Sequence, residues 1–285
     1  MRVDAGVQVG TGHLMRCLAL AQAWRQTSGK SVFLMAMKAS ELEARLQLEG
    51  METIHLSASP GSDEDAIQTA DLARKMSASC VVLDGYDLDA NYQRTIKESG
   101  LRLLAIDDFG TLEHYYADIV LNQNLRAQEG MYARKEQYTK LLLGTRYVLL
   151  RREFLRWAGW ERRIPEVAHK ILVSLGGSDP DNVTLGVVQI LQQLDVKDLE
   201  ATVVVGGDNP HYEELQSAVQ DAKLVVHLER NVLDMPRLMG WADVAISSAG
   251  CTSWELAFMG LPSILLELAP NQHNTAKALD AEGFA

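Results

Sequence analysis

His13 closes a short loop that contains two glycines, Val9-Gly10-Thr11-Gly12-His13, and is followed by Arg16-Cys17-Leu18. Gly10 and Gly12 let the chain turn tightly from a strand into a helix, and they leave the first amides of that helix open to a ligand. His13 falls in the first turn, where the positive end of the macrodipole disfavours imidazolium, so the ring can accept a proton. The alternative is a histidine that merely caps the helix, with glycines that only tighten the loop.

A second constellation is Ser247-Ser248-Ala249-Gly250-Cys251-Thr252-Ser253-Trp254-Glu255, a run of small residues leading from a strand end into a helix. Its amides and the hydroxyls of Ser248, Thr252 and Ser253 could hold a diphosphate without lysine. Glu255, one turn into the helix, could accept bonds from ribose hydroxyls, or simply complement the helix dipole. Cys251 at the helix start is better read as packed against the sheet than as a reactive thiol.

Leu175-Gly176-Gly177-Ser178-Asp179 also ends a strand. Gly177 and Ser178 could line a ligand site, or Ser178 or Asp179 could cap the next helix. Asp84-Gly85-Tyr86 and Asp107-Asp108 end strands on the same side, and the adjacent acids should point apart, so no metal site is expected. Asn271-Gln272-His273 opens the last helix with neutral groups suited to sugar hydroxyls, with capping by Asn271 as the plainer reading. His55, His114, His169, His211 and His227 have no supporting pattern and are read as structural. Cys17, Cys80 and Cys251 are too far apart for a metal or disulfide pattern and are expected as small buried apolar residues.

The elements that must position these residues are legible as short runs of Val, Ile and Leu alternating with stretches of helical period, the pattern of parallel sheets covered on both faces. In the first half the strands are expected at 32–36, 53–56, 80–84, 101–107 and 118–122. After His13, Leu14, Leu18 and Ala21 keep one face of a helix that should end near Ser28 and Gly29. In the second half strands are expected at 170–175, 202–206, 224–228, 243–247 and 263–267. Helices are expected near 183–194, 212–219, 231–239, 252–259 and 271–282. The fold class is α/β, two doubly wound Rossmann-like domains, 1–150 and 170–285, joined by a linker at 151–169. Both ends look cut, because only three residues precede Asp4 and Ala285 stands where a further strand would follow.

The chain has 285 residues with 47% hydrophobic and 23% charged side chains, as an ordinary globular protein does. No apolar run is long enough to span a bilayer and the start lacks a signal-peptide core, so a cytoplasmic location is expected. The net charge of -11 is uneven, with 21 basic and 21 acidic residues in 1–165 against 6 and 17 in 166–285. The second half is therefore no nucleic-acid clamp, and an anion there must be held by backbone donors. The stretch 126–163 has ten basic residues and four acids; it reads as a solvated face, and membrane contact is not expected.

Several of these segments form an ordered set: Arg2-Val3-Asp4, Gly10-Thr11-Gly12-His13, Arg16-Cys17-Leu18, Asp107-Asp108, Leu121-Asn122-Gln123-Asn124, Gly144-Thr145-Arg146-Tyr147, Gly206-Gly207-Asp208-Asn209-Pro210, Gly250 to Leu256, Gly260-Leu261-Pro262 and Asn271-Gln272. The set resembles the UDP-2,4-diacetamido-2,4,6-trideoxy-beta-L-altropyranose hydrolases of pseudaminic acid biosynthesis, which are similar to the MurG-type glycosyltransferases. The resemblance implies a GT-B fold, with two Rossmann-like domains around a cleft and the nucleotide held by the second. It makes His13 the catalytic base and Tyr86 a helper in the sugar pocket; Gly10, Gly12, Arg16, Gly177 and Ser178 are also expected at the substrate. It further assigns Ser248, Ala249, Gly250, Cys251 and Thr252 to the diphosphate, Glu255 to the ribose, and Asn271 and Gln272 to the sugar. Gly85 stands where relatives often carry a bulkier polar residue, and both ends are shorter than theirs. The expected activity is a metal-independent, inverting hydrolysis of a UDP-sugar, without a cofactor, by a monomer or weak oligomer. A MurG-like transferase and a catalytically silent nucleotide-sugar binder are the alternatives.

Overall fold

The structure, a computed structural model, describes residues 1–6, 9–177, 179–220 and 224–284. It divides into two units, residues 1–6 with 13–149, and residues 7–12 with 150–285.

In the first unit seven strands form one parallel sheet: β1 (Arg2–Val3), β2 (Val32–Met35), β3 (Glu52–His55), β4 (Val81–Asp84), β5 (Leu103–Ile106), β6 (Ile119–Asn122) and β7 (Lys140–Leu143). Their order is β3-β2-β1-β4-β5-β6-β7. The helices are α1 (Gly12–Gln26), α2 (Ser40–Leu48), α3 (Asp63–Lys75) and α4 (Ala90–Glu98). The two-residue alternation of a strand sends Val81, Leu83, Leu103 and Ala105 to a core shared with α3 and α4. Val82 and Ile106 go to the opposite core, shared with Leu14, Leu18 and Ala21 of α1 and Leu46 of α2. Apolar burial on both faces is why these strands read as unbroken hydrophobic runs.

The Arg2-Val3-Asp4 segment has a structural purpose. The Arg2 guanidinium is buried and donates to Asp65 at 2.6 to 3.1 Å, and Asp65 also accepts from the Tyr92 hydroxyl. Burial alone would lower the Arg2 pKa, but hydrogen bonds to Asp65 and Asp4 raise it above the ordinary value. Asp4 accepts from the amides of Ala36 and Met37 beyond β2.

The second unit has a five-stranded parallel sheet of β8 (Lys170–Ser174), β9 (Glu200–Val205), β10 (Val225–Arg230), β11 (Val244–Ser248) and β12 (Ser263–Leu266). Its order is β10-β9-β8-β11-β12. The helices are α5 (Arg152–Leu155), α6 (Val183–Leu191), α7 (Tyr212–Gln220), α8 (Met235–Trp241), α9 (Thr252–Phe258) and α10 (His273–Ala281). Ile171, Val173, Ala201 and Val203 face one core, and Leu172 and Val204 face the other.

Several expectations are corrected. β7 was not foreseen, because its few leucines sit in a basic, polar stretch. The segment 151–169 is more than a linker, since fully buried Phe154 enters the core with Met235, Leu238 and Met239. The helix expected from 231 starts at Met235, where Asp234 caps it by accepting from the Arg237 amide and a proline occupies the first turn. The last helix is preceded by a short 3-10 turn, Pro270–Gln272. Cys17 is buried as expected, but Cys80 is exposed and Cys251 only half-buried, because both lie at element ends rather than inside a core.

Candidate functional site

In each parallel sheet the strand order reverses beside the first strand, between β1 and β4 in the first unit and between β8 and β11 in the second. Open α/β sheets bind ligands beyond the strand C-termini at such switch points. In the first unit His13 follows β1 and Tyr86 follows β4, so both lie there.

His13 is 7% exposed and stands in the first turn of α1. Its Nδ1 is buried and has no hydrogen-bond partner among the described residues, so the ring is not held as a helix cap through that nitrogen. Tyr86 packs edge-on against it, with ring centroids 4.6 Å apart at 85°. Tyr86 also stacks against Phe109 at 5.4 Å, and its hydroxyl reaches Asp108 at 3.4 Å.

Behind this pair lies an ion cluster. Arg16, one turn after His13, donates from Nε and Nη2 to the two Asp84 oxygens at 2.6 and 2.7 Å. Its Nη1 and Nη2 donate to Asp108 at 2.8 and 3.0 Å. One guanidinium thus ties α1 to the ends of β4 and β5. Burial on its own would raise the Asp108 pKa, but the Arg16 charge and hydrogen bonds, with help from His13 and Asn124, bring it down to about 2. Arg16, expected at the substrate, is 3% exposed and engaged with these two carboxylates.

Asp107 and Asp108 have different partners. Asp107 Oδ2 accepts from the Gly110 amide at 2.7 Å and from the hydroxyls of Tyr132 and Tyr115 at 2.7 and 3.3 Å. Asn122 donates to the Tyr132 hydroxyl and Asn124 to Asp108, which accounts for the two asparagines of the 121–124 segment. Among the described residues no group of three or more His, Cys, Asp or Glu is placed to hold a metal ion. This buried tyrosine–aspartate cluster was not foreseen, and Asp107 was its only sequence signal.

In the second unit the loop 248–252 connects β11 to α9. Ser248 is buried, and Ser247 Oγ donates to the Ser174 carbonyl of β8 at 2.9 Å. The Ala249 amide is engaged with the Leu266 carbonyl, and the Gly250 carbonyl accepts from Ser253. Cys251 and Thr252 are half-buried at the start of α9. Glu255 Oε1 accepts from Nε and Nη2 of Arg151 at 3.0 and 2.8 Å. Burial pushes the Glu255 carboxyl above the ordinary glutamate range, and the Arg151 guanidinium opposes that rise. Arg151 was not singled out from the sequence; the need of a buried Glu255 for a cation was the available signal.

After β8, Gly176 has φ +98°, and Gly177 packs so tightly on Gly206 that a Cβ on Gly206 would collide with the Gly177 carbonyl. Ser178 lies outside the described residues. Asp179 accepts from the amides of Val183 and Thr184 and so caps α6. Gly10 has φ +81°, which favours glycine, and Gly12 begins α1. Asn271 is exposed, while Gln272 Oε1 accepts from the Leu268 amide and closes its own turn. His55, His114 and His227 pair with Glu43, Glu136 and Glu200, and His169 and His211 meet backbone carbonyls.

Residues 171–285 match the model of the glycosyltransferase family 28 C-terminal domain. The UDP-2,4-diacetamido-2,4,6-trideoxy-beta-L-altropyranose hydrolase of Campylobacter jejuni is 24% identical over 99% of this chain and 96% of its own. An uncharacterized protein of Methanocaldococcus jannaschii is 25% identical over 92% of this chain. The chain spans about half the length of that relative, 54%. The crystal structure of Acinetobacter baumannii MurG superposes with a TM-score of 0.59 at 16% identity, covering 98% of this chain and 81% of MurG. The chain has the fold of the GT-B glycosyltransferases, and its resemblance to the hydrolase runs along its length. No helix among the described residues is long and apolar enough to cross a membrane.

Proposed function

We propose that the chain hydrolyses a UDP-linked 2,4-diacetamido-2,4,6-trideoxy sugar to UDP and the free sugar. The observation that carries this reading is His13: an imidazole at a switch point, walled by Tyr86, with Nδ1 engaged by none of the described residues. In this reading His13 takes a proton from water as the water oxygen attacks the anomeric carbon. The bond to the UDP oxygen breaks, and the sugar inverts. UDP is a good leaving group, so one base suffices and neither a second carboxylate nor a metal is required. Tyr86 orients the imidazole and walls the sugar. Arg16 positions both through Asp84 and Asp108.

UDP is assigned to the second unit, where basic side chains are scarce. The diphosphate is assigned to the 248–252 loop together with Gly177 and Ser178, and the ribose to Glu255. Asn271 and Gln272 are assigned to the sugar, and Gly10 and Gly12 to a close backbone approach. The hydrolase name of the Campylobacter jejuni relative supports this substrate class. The test is turnover without an acceptor. UDP and free sugar should appear in equal amounts, and His13→Ala should lower kcat by about 10²- to 10⁴-fold while UDP affinity holds.

The family 28 match favours a second reading, a transferase in which His13 activates an acceptor hydroxyl instead of water. UDP release that begins only when an acceptor is added would establish that reading and overturn the first.

A further inference from the structure

A cavity of about 140 Å³ opens in the first unit behind Tyr86, at the C-terminal ends of β4 and β5. Its lining includes Leu83, Leu88, Ala105 and Leu112 and several polar residues, among them Gln93, Asp107, Asp108 and Thr111. Gln93 is 2% exposed. Its Oε1 is engaged by the amides of Tyr116 and Ala117 at 3.0 and 3.2 Å. That fixes the orientation of the side-chain amide and leaves Nε2 as a donor with no partner among the described residues. Asp107 is the complement: Oδ2 carries its three hydrogen bonds, and Oδ1 has no partner among the described residues. A mainly apolar space thus presents one oriented N–H donor and one carboxylate acceptor.

We infer that this cavity seats an acetamido group of the sugar, with Gln93 donating to its carbonyl oxygen, Asp107 accepting from its N–H and the methyl lying among the leucines. The inference rests on the hydrolase reading above. A secondary amide needs one donor, one acceptor and an apolar end, and Gln93, Asp107 and the leucines of this lining supply them. Size agrees: a dry cavity of about 150 Å³ holds benzene, and an acetamido group has fewer heavy atoms. Position agrees as well, because Tyr86 and Arg16 also border the cavity, and Tyr86 touches the His13 ring. Gly85 borders it too. A Cβ built there meets only Leu88, with Cδ1 and Cγ both at the ordinary contact distance of 3.5 Å, so a side chain fits here without strain.

Two variants of the full chain test this. Gln93→Glu keeps an oxygen for the Tyr116 and Ala117 amides and replaces the donor by a carboxylate oxygen. Gly85→Val adds methyl groups to the space and leaves Gln93 untouched. Both are assayed on the UDP-diacetamido sugar and on the analogue with a hydroxyl in place of one acetamido group, with UDP affinity and melting temperature as controls. Wild type should prefer the diacetamido substrate in kcat/KM, and each variant should lower kcat/KM for it by about 10- to 100-fold, as expected when a buried polar group loses its partner. The analogue lacking the seated group should be affected several-fold less, with UDP affinity unchanged. Wild-type hydrolysis with equal losses on both substrates, or with no loss, would mean that the cavity holds only water and would overturn the inference while the hydrolase reading stands. Absence of hydrolysis by wild type would overturn both.

Discussion

Replacing Asp108 by Asn removes one of the two carboxylates that Arg16 holds while keeping the side chain's shape. In the folded protein Asp108 titrates at about 2, against an ordinary 3.8. Its side chain is 14% exposed, so solvent screening discounts this little. At about 1.4 kcal/mol per pKa unit, the ionised carboxylate contributes roughly 2 kcal/mol to the first unit at neutral pH. Because the folded pKa is the lower one, that contribution is complete above the unfolded value and fades as pH falls toward 2. About half of it remains at pH 3. Amide hydrogen exchange in the β4–β5 ladder reads the stability of this unit directly. Asp108→Asn should speed exchange there about 30-fold at pH 7 and by markedly less at pH 3. A difference that is absent at pH 7, or equally large at both pH values, would refute the assignment of this stability to the Arg16–Asp108 charge pair.

Two further outcomes concern the second unit. Arg151→Met leaves Glu255 buried without its cation and should destabilise the unit by about 3 to 5 kcal/mol, and Arg151→Met with Glu255→Met should restore most of it; urea unfolding of the single and double variants measures both. Gly206→Ala drives a Cβ against the Gly177 carbonyl and should cost about 1 to 3 kcal/mol of stability together with UDP affinity, measured by thermal melting and by titration with UDP.

Much of the fold was legible because both sheets are covered on two faces, which turns buried strands into continuous Val, Ile and Leu runs. β7 escaped because three leucines between basic residues carry no such signal. At the site, glycine spacing marked His13, and the small-residue run marked the 248–252 loop, since backbone conformation there depends on residue type. The partners of Arg16 lie 68 and 92 residues away, and those of Asp107 as far as 25. No local pattern encodes pairings that arise only when adjacent strands bring their ends together. The same reason hid the Gln93 cavity, whose donor is defined by two amides more than 20 residues downstream. Arg16 reads from the sequence as a substrate contact because it follows a glycine loop, and its pairing with two carboxylates far along the chain was not legible there.

In the proposed hydrolysis water, activated at His13, attacks the sugar and not the phosphate. Turnover of the UDP-diacetamido sugar in oxygen-18 water tests it most directly, with mass spectrometry of both products and immediate NMR of the released sugar. One labelled oxygen on the anomeric carbon, unlabelled UDP and inverted anomeric configuration are expected. Label on the UDP phosphate, with none on the sugar, would contradict it.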